Sequence, residues 1–324
     1  QAIEAGPLFH PKAFHIVSEK SGNKIKFNKH KLKEFLQSKD GQKFLGVFFQ
    51  ALNKKNNELG IEKMYLQHIG DEAKPEERIL YRQLVKIIHE NMPGIPVIDA
   101  TELSRNQRLG MMDIPVTNLA VKEVERNDAH TTKWGKWWYT TAFKPRGKMP
   151  NRFIDYPLVK MRMLSWLSWR YGVSGYLHYG YNWWQIPSRK SPWEQTQYKK
   201  YAAGDGWIVY PPKEKKIQAP VSSMRWESFR DGLEDYEYLV LLKKNVTDLK
   251  MALARNNNNA ALKQMIERGE SVLEDFNSSV VSKINYPRSS ESVKLIRFKI
   301  GVWLGQVSQY FDGGDNVSDT LLVQ

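Results

Sequence analysis

Apolar residues recur at helical spacing across residues 43–59, where Phe44, Leu45, Val47, Phe48, Phe49, Leu52 and Leu59 predict a helix with a broad apolar face. The apolar run that follows, residues 64–69 (MYLQHI), is too short for a helix and is closed by Gly70. It reads as a buried strand. Pro75 with Glu76 and Glu77 then marks a helix start. Proline lacks the N–H that a first turn leaves unpaired, and acids suit the positive end of a helix. Ile79, Leu80, Leu84, Ile87 and Ile88 carry that helix forward to Pro93 and Gly94.

The alternation continues down the chain. Strands are expected over residues 95–100, 114–121, 136–143 and 175–184, with a helix over 157–171, a short apolar segment at 206–210 and a long helix over 226–242. A further strand is expected around residues 14–17. Short apolar strands separated by helices point to a parallel sheet with helical cover, either an open sheet or a barrel. Beyond residue 245 the pattern turns helical, over 248–275 and 290–311, with the four asparagines at 256–259 breaking or weakening the first. Two regions are therefore expected, 1–245 and 246–324.

Composition narrows the function classes. Of 324 residues, 41% are hydrophobic and 12% aromatic, ample to build a core, so disorder is excluded as the main state. The absence of cysteine removes a disulfide scaffold, a thiolate metal site and a cysteine nucleophile. Seven scattered histidines form no HExxH or paired spacing, so no metal is expected. No Walker A, GxGxxG or GxSxG motif occurs, and no cofactor is expected either. No apolar run reaches the length of a membrane span. Residues 1–6 lack the basic-then-apolar pattern of a secretory leader. The net charge of +14 is either a solvated surface or a draw for an acidic partner. Lysine clusters at 24–33 and 213–216 sit in no nucleic-acid motif, and nucleic acid is not expected as a partner.

Three groups of residues could carry chemistry. Residues 67–72 (QHIGDE) place Asp71 and Glu72 at the C-terminal end of a predicted strand, where parallel barrels hold their reacting groups. Side chains alternate along a strand, so the pair shares a site only if Gly70 loosens the backbone. Otherwise both carboxylates simply decorate the approach to the next helix. The second group is aromatic: Trp134, Trp137, Trp138 and Tyr139, then Tyr176, Tyr179, Tyr181, Trp183 and Trp184, with His178 among them. Flat rings with polar edges suit the apolar faces of sugars, and about half of such rings belong to a core instead. The third is residues 225–237, with five carboxylates and two arginines, read as a salt-bridged helix start or as a polar cluster reaching the site.

Several blocks together resemble glycoside hydrolase family 123, the β-N-acetylgalactosaminidases and their relatives. They are HIGDE at 68–72, PNRFIDYPLVKMRMLSW at 150–166, GYLHYGYNWW at 175–184, GDGWIVYPP at 204–212 and SSMRWESFRDGLEDYEYLVLL at 222–242. The resemblance implies a (β/α)8 TIM-like barrel and a glycan substrate. It also implies a retaining, substrate-assisted mechanism in which the sugar's own 2-acetamido oxygen attacks the anomeric carbon. By match to the motif, Glu72 would be the general acid/base and Asp71 would stabilise the acetamido group. His68, Trp137, Tyr139, Tyr179, Tyr181 and Trp183 are the expected sugar contacts. An extracytoplasmic location is implied too. Only 70 residues precede Asp71 and at most six strands are counted, so the barrel is expected to be incomplete at its N-terminal side. A non-catalytic glycan-binding protein and an enzyme for acidic polysaccharide stay open as alternatives.

Overall fold

The computed structural model of the chain describes residues 3–4, 16–17, 24–25, 29–104, 107–121, 132–184, 191–197, 200–213, 219–255 and 258–312. In chain order the elements are β1 (Ile3–Glu4), β2 (Ile16–Val17), β3 (Lys24–Ile25), α1 (Lys29–Gln37), α2 (Lys39–Glu58) and β4 (Tyr65–His68). A 3-10 turn at Pro75–Glu77 then leads into α3 (Arg78–Asn91). Next come β5 (Val97–Thr101), β6 (Ile114–Asn118), β7 (Trp137–Tyr139), α4 (Val159–Arg170) and β8 (Gly175–Leu177). Three long helices close the series: α5 (Met224–Arg255), α6 (Ala260–Ser279) and α7 (Ser290–Asp312). The chain divides into two compact units, the first Gln1–Tyr139 with Val173–Leu177, the second Thr140–Gly172 with His178–Gln324.

The first unit is built on a six-stranded sheet in the order β1-β4-β5-β6-β7-β8, and every neighbouring pair is parallel. The five strands expected from the apolar runs are therefore consecutive parallel neighbours in an α/β sheet. Among the described residues neither β1 nor β8 has a second strand partner, so the sheet is an open part of a barrel rather than a closed one. All residues of β4, β5 and β6 are buried, as parallel strands covered on both sides require. One face carries Tyr65, Ile69 and Val97 and packs against Leu32, Phe49, Leu84 and Ile88 of the helices. The other carries Leu66, Ile98, Ala100, Ile114, Val116 and Tyr139, with Trp137 and Leu177 packed against them.

One expectation is corrected. Ile16–Val17 is not a strand of this sheet: it pairs antiparallel with Lys24–Ile25. The connection is too short for a parallel return, which needs a crossover of a dozen residues or more, so the segment closes as a hairpin. In the short apolar segment at 206–210, Trp207 and Tyr210 make isolated bridges to Asn182 and Val221.

The second unit is mainly helical. The helix expected over 226–242 runs on without a break as Met224–Arg255, so residue 245 lies inside it. The asparagine run then divides the helix expected over 248–275. The Asn259 side chain accepts the Leu262 N–H at 3.0 Å and caps the start of α6. Helices α4 and α5 pack closely because Gly232 has no side chain: a Cβ there would stand 2.7 Å from the Arg162 carbonyl oxygen. Asp235 is buried between them. It accepts from Arg162 Nη2 at 2.8 Å, Trp166 Nε1 at 2.7 Å and, from α7, Arg297 Nη1 at 2.8 Å. Of the readings of residues 225–237, Asp235 thus joins three helices, whereas Arg230 makes the exposed pairs of a helix start with Glu227 and Glu234.

Candidate active site

The C-terminal end of β4 leaves Ile69 and Gly70 buried and brings Asp71 and Glu72 out to solvent. The backbone reversal that separates them from strand alternation falls at Glu72, with φ 52°, and not at Gly70. Glu72 is the one non-glycine residue in the left-handed region among the described residues. That conformation costs an ordinary L-residue about 1 kcal/mol or more. Its carboxyl is held from another strand, since the Tyr139 hydroxyl donates to Glu72 Oε1 at 2.8 Å. Tyr139 is itself buried, with its ring in the sheet core. Burial first, and then the Glu72 charge, push its phenol pKa up, so it stays protonated as a donor.

Beneath this strand end lies a second polar group. Asp99 on β5 is fully buried and accepts from the Tyr81 hydroxyl at 2.7 Å. His68 Nε2 stands 3.0 Å from the other Asp99 oxygen, where the ring N–H donates to the carboxylate. Tyr81 is pushed up by burial first and by Asp99 next, with Asp71 a further contributor. His68 is thus nearly buried and engaged with Asp99.

Trp137, two residues before Tyr139 on the same sheet face, goes elsewhere. It lines a cavity of about 630 Å³ with Met64, Ile95, Pro96 and Ile114, all at the N-terminal ends of their strands. Its ring covers Gly175, where a Cβ would stand 1.9 Å from it. Of the expected sugar contacts in the first unit, Tyr139 meets Glu72, His68 meets Asp99 and Trp137 lines the cavity.

Tyr179, Tyr181 and Trp183 belong to the second unit and are exposed there, at 49%, 44% and 38%. Tyr179 meets Trp183 edge-on at 5.8 Å, and Trp183 meets Tyr201 at 6.1 Å. Under these rings is Asp205, fully buried, which accepts from the Tyr179 hydroxyl and lies 3.3 Å from His178 Nε2. Burial, and then the Arg152 charge, pull the His178 pKa down to about 4, so the ring is neutral at ordinary pH. Arg225 closes the group by donating to the carbonyls of Arg152, Gly204 and Trp207 at 2.6–2.8 Å. Burial, with Arg152 next, pulls Arg225 down to about 10.

Asp99, Tyr81, Asn118, Asp205 and Arg152 are functional-looking residues that the sequence reading passes over. Asp99 within IPVIDA and Asn118 within IPVTNLAV carried a signal, a polar letter inside an apolar strand. Among the described residues no group of three or more His, Cys, Asp or Glu could hold a metal ion. No described helix is long and apolar enough to cross a membrane.

Residues 9–242 match the family model of the glycoside hydrolase 123 catalytic domain. No curated protein matches the chain. Fourteen chains of solved structures do. One is a family 123 glycoside hydrolase from Clostridium perfringens, studied for glycolipid glycan hydrolysis, with 14% identity and a TM-score of 0.55. The match covers 91% of this chain and 48% of that one, so the chain spans about half the length of this relative. At that identity the likeness is one of fold.

Proposed function

The chain belongs to glycoside hydrolase family 123, and on that premise we propose that it removes a terminal β-linked 2-acetamido sugar, N-acetylgalactosamine, with retention of configuration. The observation that carries this reading is the Asp71–Glu72 pair at the end of β4, with Glu72 fixed by Tyr139. Glu72 protonates the departing glycosidic oxygen. The sugar's acetamido oxygen attacks the anomeric carbon from the opposite face and closes an oxazoline-like ring. Asp71 balances the positive charge that grows on the acetamido nitrogen. Water then opens the ring, with Glu72 taking its proton, and the second inversion restores the first configuration. No enzyme nucleophile is needed, because the substrate supplies it.

The exposed rings of Tyr179, Tyr181 and Trp183 support a glycan as ligand, since flat aromatic faces match sugar C–H faces. They would equally serve a binding protein without chemistry, and the adjacent carboxylates favour the enzyme. The proposal carries an extracytoplasmic location with it. The deciding experiment compares nitrophenyl β-glycosides that bear either a 2-acetamido or a 2-hydroxyl group. The expected result is turnover of the first and none of the second. Efficient cleavage of the 2-hydroxyl sugar would mean direct attack by a carboxylate, and saturable binding of the 2-acetamido sugar without turnover would leave a binding protein.

A further inference from the structure

The cavity at the N-terminal ends of the strands has no part in the chemistry of Asp71 and Glu72. It measures about 630 Å³, inside the range of roughly 300–1,000 Å³ that small-ligand sites occupy. All of its lining belongs to the first unit. Two tryptophans line it. Trp134 sits in the turn that Thr132 and Gly135 bridge, where its N–H donates to the Thr132 hydroxyl at 3.2 Å and the Gly135 N–H donates to the Thr132 carbonyl at 2.9 Å. Trp137 Nε1 donates to the Trp134 carbonyl at 3.4 Å, and its ring lies over Gly175. Both rings are thus held in place by the protein itself. Asn53 and Asn57, one turn apart on α2, add two amides to the lining, and Glu62 and Lys63 add a carboxylate and an ammonium. Among the described residues Glu62 Oε2 has no hydrogen-bond partner.

We propose that this cavity is a second, non-hydrolysing glycan site that takes a neutral oligosaccharide. It does not rest on the roles given to Asp71 and Glu72, which lie beyond the other end of β4. The charges of the lining decide among ligand classes. An anion would be set against Glu62. A cation would be set against Lys63, and the Lys133 ammonium already stands 5.0 Å from the centre of the Trp134 ring, the place a ligand cation would seek. A wholly apolar ligand would leave the two amides and the two charged groups without partners. An uncharged polyol meets none of these penalties. Its hydroxyls donate to the Glu62 carboxylate and the asparagine oxygens and accept from Lys63 and the amide N–H groups, while its C–H faces lie on the tryptophan rings. A site at this end of the strands holds glycan without competing for the reacting groups.

The test follows the isotope-labelled methionine methyl groups of the full chain by NMR. Met64 is exposed and lines the cavity, and its signal is assigned by its loss in Met64→Leu. The probes are lactose and cellobiose, which carry no 2-acetamido group and so are not substrates of the proposed reaction. At least one of them is expected to shift the Met64 signal saturably. Trp137→Ala should raise the midpoint about ten-fold, the worth of an aromatic contact. Should that variant lose its fold, Trp134→Ala removes an exposed ring from the same lining. Asn57→Ala, an exposed change on α2, should raise the midpoint about five-fold, the worth of one hydrogen bond. A Met64 signal that neither sugar moves overturns the proposal, as does a midpoint that stays at the wild-type value in both Trp134→Ala and Asn57→Ala. Movement by choline and by neither sugar would make the cavity a cation site, and the glycan assignment would fall.

Discussion

At the scale of single residues, the proposed function divides labour between Asp71 and Glu72 by charge. Glu72→Gln is expected to lower turnover of unactivated glycosides by roughly 10²–10⁴-fold, the usual worth of a positioned acid. Nitrophenyl glycosides, whose leaving groups need little protonation, should keep a substantial part of their rate. Asp71→Asn should lower both substrate types by about 10²-fold or more, because it removes a fixed negative charge from the place where positive charge develops. Steady-state rates of the two variants on the two substrates check both statements. The place of Asp71 and Glu72 just beyond the end of a buried strand was legible in the sequence, because they follow an apolar run closed by Gly70. Their support was not. Tyr139 read as one ring in an aromatic cluster, and nothing in the letters KWWYTTAF distinguishes the ring that faces Glu72 from Trp138, which is fully buried. That distinction is made by register, and register is a property of neighbouring strands.

At the scale of elements, the positions of the strands followed from apolar runs bounded by Gly and Pro, whereas their lengths did not. The expected strand over 175–184 pairs with the parallel sheet only at Gly175–Leu177. From His178 the backbone turns into a packed loop. The Gly180 N–H donates to His178 Nδ1 at 3.0 Å, and a Cβ at Gly180 would stand 2.7 Å from Gly206. Aromatic residues suit such a loop as well as a strand, so the pattern could not separate them. The α4–α5 pair offers a sharper test of element packing. Gly232→Ala gains about 1 kcal/mol of helix propensity. Against this, the new methyl would press on the Arg162 carbonyl, which is backbone and cannot swing aside. Overpacking of this kind costs about 1–3 kcal/mol, so the net expectation is a loss of about 1 kcal/mol. A lowered urea midpoint with an unchanged slope would record it.

For the molecule as a whole, His178 gives stability a dependence on pH. Its folded pKa is pulled from 6.5 down to about 4. The unfolded chain therefore binds a proton between those values that the folded chain refuses, and stability falls as the pH is lowered through that window. Below about 4 this group adds no further loss. The full effect is of order 3 kcal/mol, and the melting temperature followed from pH 7 to 4 should show it. His178→Asn, which keeps a hydrogen-bonding side chain without a titrating ring, should flatten that slope. The ends of the parallel sheet bear on another whole-molecule property, solubility. Among the described residues its outermost strands are only two and three residues long, Ile3–Glu4 and Gly175–Leu177. So short a ribbon of main-chain donors and acceptors gives an incoming chain very few bonds to add, too few to seed the stacking that long, flat edges invite. A net charge of +14 adds repulsion between copies, so little edge-to-edge association through the described strands is expected, which light scattering at low salt would check.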